Sequence, residues 1–222
     1  MKKVFAFVAV AAGLLFAGNA NAQLGVNIGY APQTFKSTYT NGSNSNTTTT
    51  SMSGFFAGVN YNLNLTGDLN VSVGAQFRYN TSKDTLVNAN VGTLAGAKSE
   101  NKNTQSLIDI PVLFNYGFNL NSDLKVSLFV GPTLTYALSG NTHNTTTVTV
   151  LGSENVSESD NDWYGDNTDR KKLDVAATIG VNVQYNQFRL FGGYNMGLLN
   201  LTTADNTTLK ASNVFFGVGM AL

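Results

Sequence analysis

Residues 107–118 read Leu-Ile-Asp-Ile-Pro-Val-Leu-Phe-Asn-Tyr-Gly-Phe, and every even position from Ile108 through Ile110, Val112, Phe114 and Tyr116 to Phe118 is apolar. An extended chain repeats every two residues, so these side chains share one face. The other face carries Asp109, Pro111, Leu113, Asn115 and Gly117, which are mostly polar or small. Segments beginning at Leu24, Phe55, Leu69, Leu124, Leu173, Phe188 and Val214 alternate in the same way. An apolar face on every strand, opposed by a polar and glycine-rich one, predicts an all-β chain closed into an eight-stranded antiparallel up-and-down transmembrane β-barrel.

The connections alternate in length. Long polar tracts at residues 38–51, 81–104, 139–172 and 201–210 read as solvated loops, and short turns fall at 64–68, 119–123 and 186–187. Pro32 predicts a bulge or a strand end just after the first segment. Lys2-Lys3, an apolar run from Val4 to Gly18 and Ala20-Asn21-Ala22 have the order of a secretory signal. Two regions follow: a signal peptide at 1–22 and a barrel domain at 23–222, with both termini periplasmic and the long loops outside the cell.

Composition narrows the alternatives. Charged residues make up 12 % of the chain, against about 25 % in soluble domains. A secreted soluble barrel would turn its polar face to water, and this face has too few charges for that. Its glycines suit a crowded lumen instead. No cysteine is present, which removes disulfides, thiol nucleophiles and thiolate metal sites. Zero net charge gives no reason to expect a nucleic-acid partner.

The residues at 107–116 resemble the acidic-Ile-Pro strand of the PorT-like outer-membrane β-barrel family of Gram-negative bacteria. Phe129-Val-Gly-Pro132 is similar to that family's Gly-Pro strand. Asp174 with Gly180, leading into Leu190-Phe-Gly-Gly-Tyr-Asn-Met-Gly-Leu-Leu-Asn200, resembles its closing region. The resemblance implies a cell outer membrane location and insertion by the barrel-assembly machinery, which reads an apolar or aromatic last residue, here Leu222. It fixes no substrate.

Charges on the inward face must be paired, because an isolated buried charge costs several kcal/mol. Arg78 and Asp109, then Asp174 and Arg189, lie on neighbouring predicted strands, with Lys125 beside them. They are expected to form ion pairs that hold the lumen. The single tryptophan, Trp163, and Tyr164 offer either a contact surface or packing on the rim. Asp160, Asp162 and Asp166, with Gly165, follow part of a calcium-loop spacing, but Tyr164 and Lys171 occupy two ligand positions, so the set is at best a weak divalent-cation site. His143 is the one histidine and lies in a low-complexity tract, which argues against an enzyme and against any cofactor.

The function expected is that of a closed barrel with a structural or surface-interaction role. Its partners would be outer-membrane lipid, lipopolysaccharide and an extracellular partner that the sequence does not specify. A narrow channel for small solutes and a lipid-modifying enzyme are the alternatives. Phe56, Phe129, Phe191 and Phe215 fall on the inward face and favour closure over conduction.

Overall fold

The computed structural model describes residues 22–91, 95–151, 153–165 and 168–222. The expected signal lies outside the described residues apart from Ala22, which opens the first strand. Ten antiparallel strands follow: β1 (Ala22–Tyr30), β2 (Gln33–Asn41), β3 (Asn44–Thr66), β4 (Leu69–Val91), β5 (Ala95–Asn119), β6 (Leu124–Val150), β7 (Ser153–Asp162), β8 (Leu173–Tyr185), β9 (Phe188–Gly197) and β10 (Thr207–Ala221). The first two run end to end, and both pair with β3 on one side and β10 on the other.

Pro32 explains the interruption, since it has no N–H to give to a ladder. Ala31 beside it still donates to the Gly54 carbonyl at 2.7 Å. From β3 the ladder passes through β4, β5, β6, β8 and β9 to β10 and so back to β1. Ten strands therefore fill eight positions around a closed ring, because β7 pairs with β6 away from the ring path. The seam is sealed to its last residue, where the Leu222 N–H donates to the Leu24 carbonyl at 2.8 Å.

The faces are inverted relative to a soluble protein. Ile28, Phe55, Ile179 and Leu190 on the outside are each about 60 % exposed, whereas Asn27, Asn60, Arg78, Asp109 and Thr178 inside are buried. A continuous apolar exterior of this extent fits a lipid surround.

Inside the ring, phenylalanine and glycine interlock. Phe56 is the register partner of Gly29, Phe129 of Gly180, Phe191 of Gly217 and Phe215 of Gly193. A Cβ added at any of these glycines would run into its partner's ring. The four rings then meet one another, Phe129 with Phe215, Phe215 with Phe191 and Phe191 with Phe56, at centroid distances of 6.1–6.4 Å.

Three polar tracts read from the sequence as solvated loops are instead β-structure. Residues 38–51 belong to β2 and β3, with only Gly42-Ser43 turning between them. Most of 81–104 continues β4 and β5, and 139–172 contains the upper half of β6 and all of β7. Thr and Ser are polar, but threonine is also β-branched and suits a pleated ladder. Their hydroxyls pair across strands, Thr34 with Ser51 at 3.2 Å and Thr38 with Thr47 at 3.1 Å. The short turns fall where expected, helped by positive φ at Gly67 (48°) and Asn186 (51°).

Gly180→Ala tests the interlock. The added methyl meets both the Phe129 ring and the Gly192 carbonyl, so a loss of about 1–3 kcal/mol is expected. A lowered urea midpoint of the refolded barrel would report it, and an unchanged midpoint would count against this packing.

Candidate functional site

Midway up the lumen β4 and β5 present Arg78 and Asp109, each 4 % exposed. Arg78 grips the carboxylate with two donors, Nε to Oδ2 at 2.8 Å and Nη2 to Oδ1 at 3.1 Å. Its Nη1 donates to Gln33 Oε1 at 3.1 Å, and Thr135 Oγ1 donates to Asp109 Oδ1 at 2.6 Å. The pair therefore has the geometry and added hydrogen bonds that offset desolvation.

The network climbs from there. Asn80 donates to both Gln33 and Gln105, and Gln105 Nε2 donates to the Tyr164 hydroxyl at 2.6 Å. Tyr164 thus reaches down into the barrel from the segment that follows β7. Burial raises its hydroxyl above the ordinary tyrosine range, which keeps it protonated.

Trp163 packs over Gly140, donates from Nε1 to Thr142 Oγ1 at 2.7 Å and meets Phe35 edge-on at 6.1 Å. The Arg170 guanidinium lies 4.2 Å from the Trp163 ring and 5.5 Å from Phe35. Burial pulls the Arg170 pKa downward. With Met52, Leu201, Leu209 and Ala211 these groups form an apolar cluster across the mouth. Of the two readings of Trp163 and Tyr164, the geometry is that of packing into the mouth. A cavity of about 450 Å³ remains beside this stopper, lined by Trp163, Arg170, Asp169, Met52 and threonine hydroxyls.

The remaining charges part company. Asp174 and Arg189 are not brought together: Arg189 is level with Gln184, ten residues along β8 from Asp174, which is about 33 Å of strand. Asp174 accepts from the Val175 N–H at 2.8 Å and lines a void of about 30 Å³ with Arg78, Tyr164 and Lys172. Arg189, at the short-turn end, donates to Asn60 at 2.6 Å and lies over Phe191. Lys125 makes no ion pair among the described residues; its stem lies against Gly117.

On the outer face of the projecting sheet, His143 Nδ1 is 2.8 Å from Asp160. Asp162 instead accepts the Tyr164 N–H at 2.8 Å. Asp166 lies outside the described residues, among which no His, Asp or Glu cluster is arranged to hold a metal ion. Sequence reasoning missed Gln33, Asn80, Gln105, Thr135 and Arg170. The first four share the lumen parity of Arg78 and Asp109, a signal that was available. Arg170 had none, since it reaches the barrel only through the connection's own path.

The profile of the outer membrane protein beta-barrel domain matches residues 16–203. The chain belongs to that family. No curated protein matches the sequence. Among solved structures, this outer-membrane barrel is similar to Ail, the attachment invasion locus protein of Yersinia pestis, at 13 % identity over 91 % of this chain and 99 % of Ail, with a TM-score of 0.37. Neisserial surface protein A is similar at 14 % identity over 88 % of this chain and 96 % of its own, with a TM-score of 0.35. The outer membrane protease OmpT of Escherichia coli is similar at 10 % identity over 91 % and 97 %, with a TM-score of 0.46.

Three variants test the outer-membrane barrel's interior. Asp109→Ala strands a buried guanidinium and should cost about 3–5 kcal/mol, whereas the double change Arg78→Met with Asp109→Leu should recover much of that loss in urea unfolding. Tyr164→Phe removes the acceptor of Gln105 and should cost about 1–3 kcal/mol. Its effect should appear as faster proteolysis of the segment around Trp163 while the ring itself stays heat-modifiable on a gel.

Proposed function

We propose that this chain is a closed outer-membrane barrel that conducts nothing and catalyses nothing, and that acts through the surface it holds outside the cell. The observation that carries this reading is the filled lumen. Apart from the cavity of about 450 Å³ beside the Trp163 stopper at the mouth, the interlocked phenylalanines and the Arg78–Asp109 layer leave lumenal voids of only about 80 Å³ and about 30 Å³. Such spaces hold a few water molecules.

Strand length supports the second half of the proposal. Crossing a membrane takes about 9–11 tilted residues, yet β5 has 25 and β6 has 27. More than half of each stands clear of the bilayer as a laddered sheet joined to β4 and β7. A stiff sheet loses less entropy on meeting a partner than a floppy loop would.

With short turns inward, both termini are periplasmic and this sheet faces outward, where lipopolysaccharide and an extracellular partner meet it. The stretch at 107–118 supports a place among the PorT-like barrels. The exposed His143, hydrogen-bonded to Asp160 on the outer face of the sheet, supports the absence of acyl-transfer chemistry. Single-channel recording of the refolded chain in a planar bilayer tests closure. A silent bilayer from a preparation shown to be folded is expected; steady discrete openings would overturn the reading and make Arg78 and Asp109 selectivity residues.

A further inference from the structure

The stopper occupies only part of the space at the mouth. The cavity of about 450 Å³ beside it falls in the size range of small-molecule sites. One wall is the ladder of β2 and β3, where Phe35 faces Thr50 and Ser37 faces Thr48, so the three hydroxyls share the inward face of Phe35. The segment after β7 closes the other side with Asp169 and Arg170. Thr48, Thr50 and Asp169 are exposed, so the cavity opens to water.

Arg170 is the group that the fold leaves unanswered. Its guanidinium lies against the Trp163 and Phe35 rings, and contact with a ring face satisfies none of its five N–H donors. Among the described residues no ion pair and no hydrogen bond reaches this side chain, and its Nη1 is buried without a partner. The contrast is with Arg78, whose donors close on Asp109 and Gln33. A desolvated guanidinium calls for an anion, and Arg170 has none from its own chain.

The hydroxyls repeat the pattern. On the outer face of the same ladder Thr34 pairs with Ser51 and Thr38 with Thr47. On the cavity side the hydroxyls of Ser37, Thr48 and Thr50 make no side-chain hydrogen bond among the described residues. Asp169 forms no ion pair with Arg170 and accepts from the Thr203 hydroxyl at 3.2 Å. Its carboxylate suits a ligand that brings hydroxyl donors, and it repels a second negative charge.

We propose that this cavity binds a small hydroxylated monocarboxylate of the sugar-acid kind, with its carboxylate on the Arg170 guanidinium and its hydroxyls on Ser37, Thr48, Thr50 and Asp169. A guanidinium fork matches a planar carboxylate through two parallel hydrogen bonds. Phe35, Met52 and Leu209 give apolar surface for the C–H face of a ring. The inference goes beyond the closed barrel and does not rest on it, since a conducting lumen would keep the same mouth.

The test titrates the refolded chain in phosphatidylcholine nanodiscs with glucuronate, glucose and the dianion glucarate. Trp163 is the only tryptophan and lines the cavity, so its emission reports occupancy. Titration calorimetry gives a reading independent of it. Glucuronate should bind saturably at millimolar concentrations, and glucose, which lacks the carboxylate, about 30-fold more weakly. Glucarate should bind more weakly than glucuronate, and Asp169→Asn should narrow that gap. Arg170→Gln should weaken glucuronate by about 30-fold. Because that change also removes a contact from the Trp163 ring, a second variant addresses the far wall. Thr48→Val with Thr50→Val should weaken glucuronate by about fivefold per hydroxyl and leave the urea midpoint where it was. No saturable heat with glucuronate, equal binding of glucose and glucuronate, or unchanged affinity in Arg170→Gln would overturn the proposal. Unchanged affinity in the threonine double variant would overturn the hydroxyl contacts.

Discussion

Within hydrocarbon no water is present to satisfy an N–H or a carbonyl, so a sheet can span the membrane only if its ladder returns to its starting strand. The seam between the first and last strands meets that demand, and the Pro32 break is tolerated because β3 and β10 flank both halves of the interrupted stave. Closing the ring on eight positions then dictates the interior. A lumen this narrow accepts a ring from one strand only where its neighbour has no side chain. The Phe–Gly partnerships are thus a geometric consequence of closure, and the glycines that depress the charge content are the other half of the aromatic core.

The same narrowness governs the charges. Arg78 and Asp109 lie deep in the barrel, where the pair and its hydrogen-bond partners Gln33 and Thr135 come from four strands. Arg189 instead faces one carboxamide and one ring near the short turns. The mid-lumen pair connects through Gln33, Asn80 and Gln105 to Tyr164. The stopper at the mouth and the ion pair at the centre are therefore parts of a single hydrogen-bonded column.

Side-chain direction was legible in the sequence because a strand has a period of two. Ile28 and Leu190 point outward and Asn60 and Thr178 inward, as their parity requires. Depth was also legible at the short turns, but it went unused: Asp174 and Arg189 share a face on adjacent strands, and the turn expected at 186–187 already sets Arg189 beside Gln184, at the opposite end from Asp174. The threonine-rich tracts misled for a different reason: composition separates polar from apolar, whereas threonine is both polar and a good strand former. The position of Trp163 over Gly140 depends on a connection folding back on its own barrel, and no periodicity in residues 163–172 records that.

The strand β7 has a further consequence for life at high density in a membrane. Among the described residues it pairs only with β6, so its far edge keeps a row of unsatisfied backbone donors and acceptors. Such an edge is a template onto which a strand from a neighbouring molecule can zip. Ten residues of β7 carry Glu154, Glu158, Asp160 and Asp162, and the chain's one histidine, His143, hydrogen-bonds only Asp160. A second copy offering the same edge brings the same carboxylates into register, and the repulsion keeps crowded barrels from polymerising through their tips.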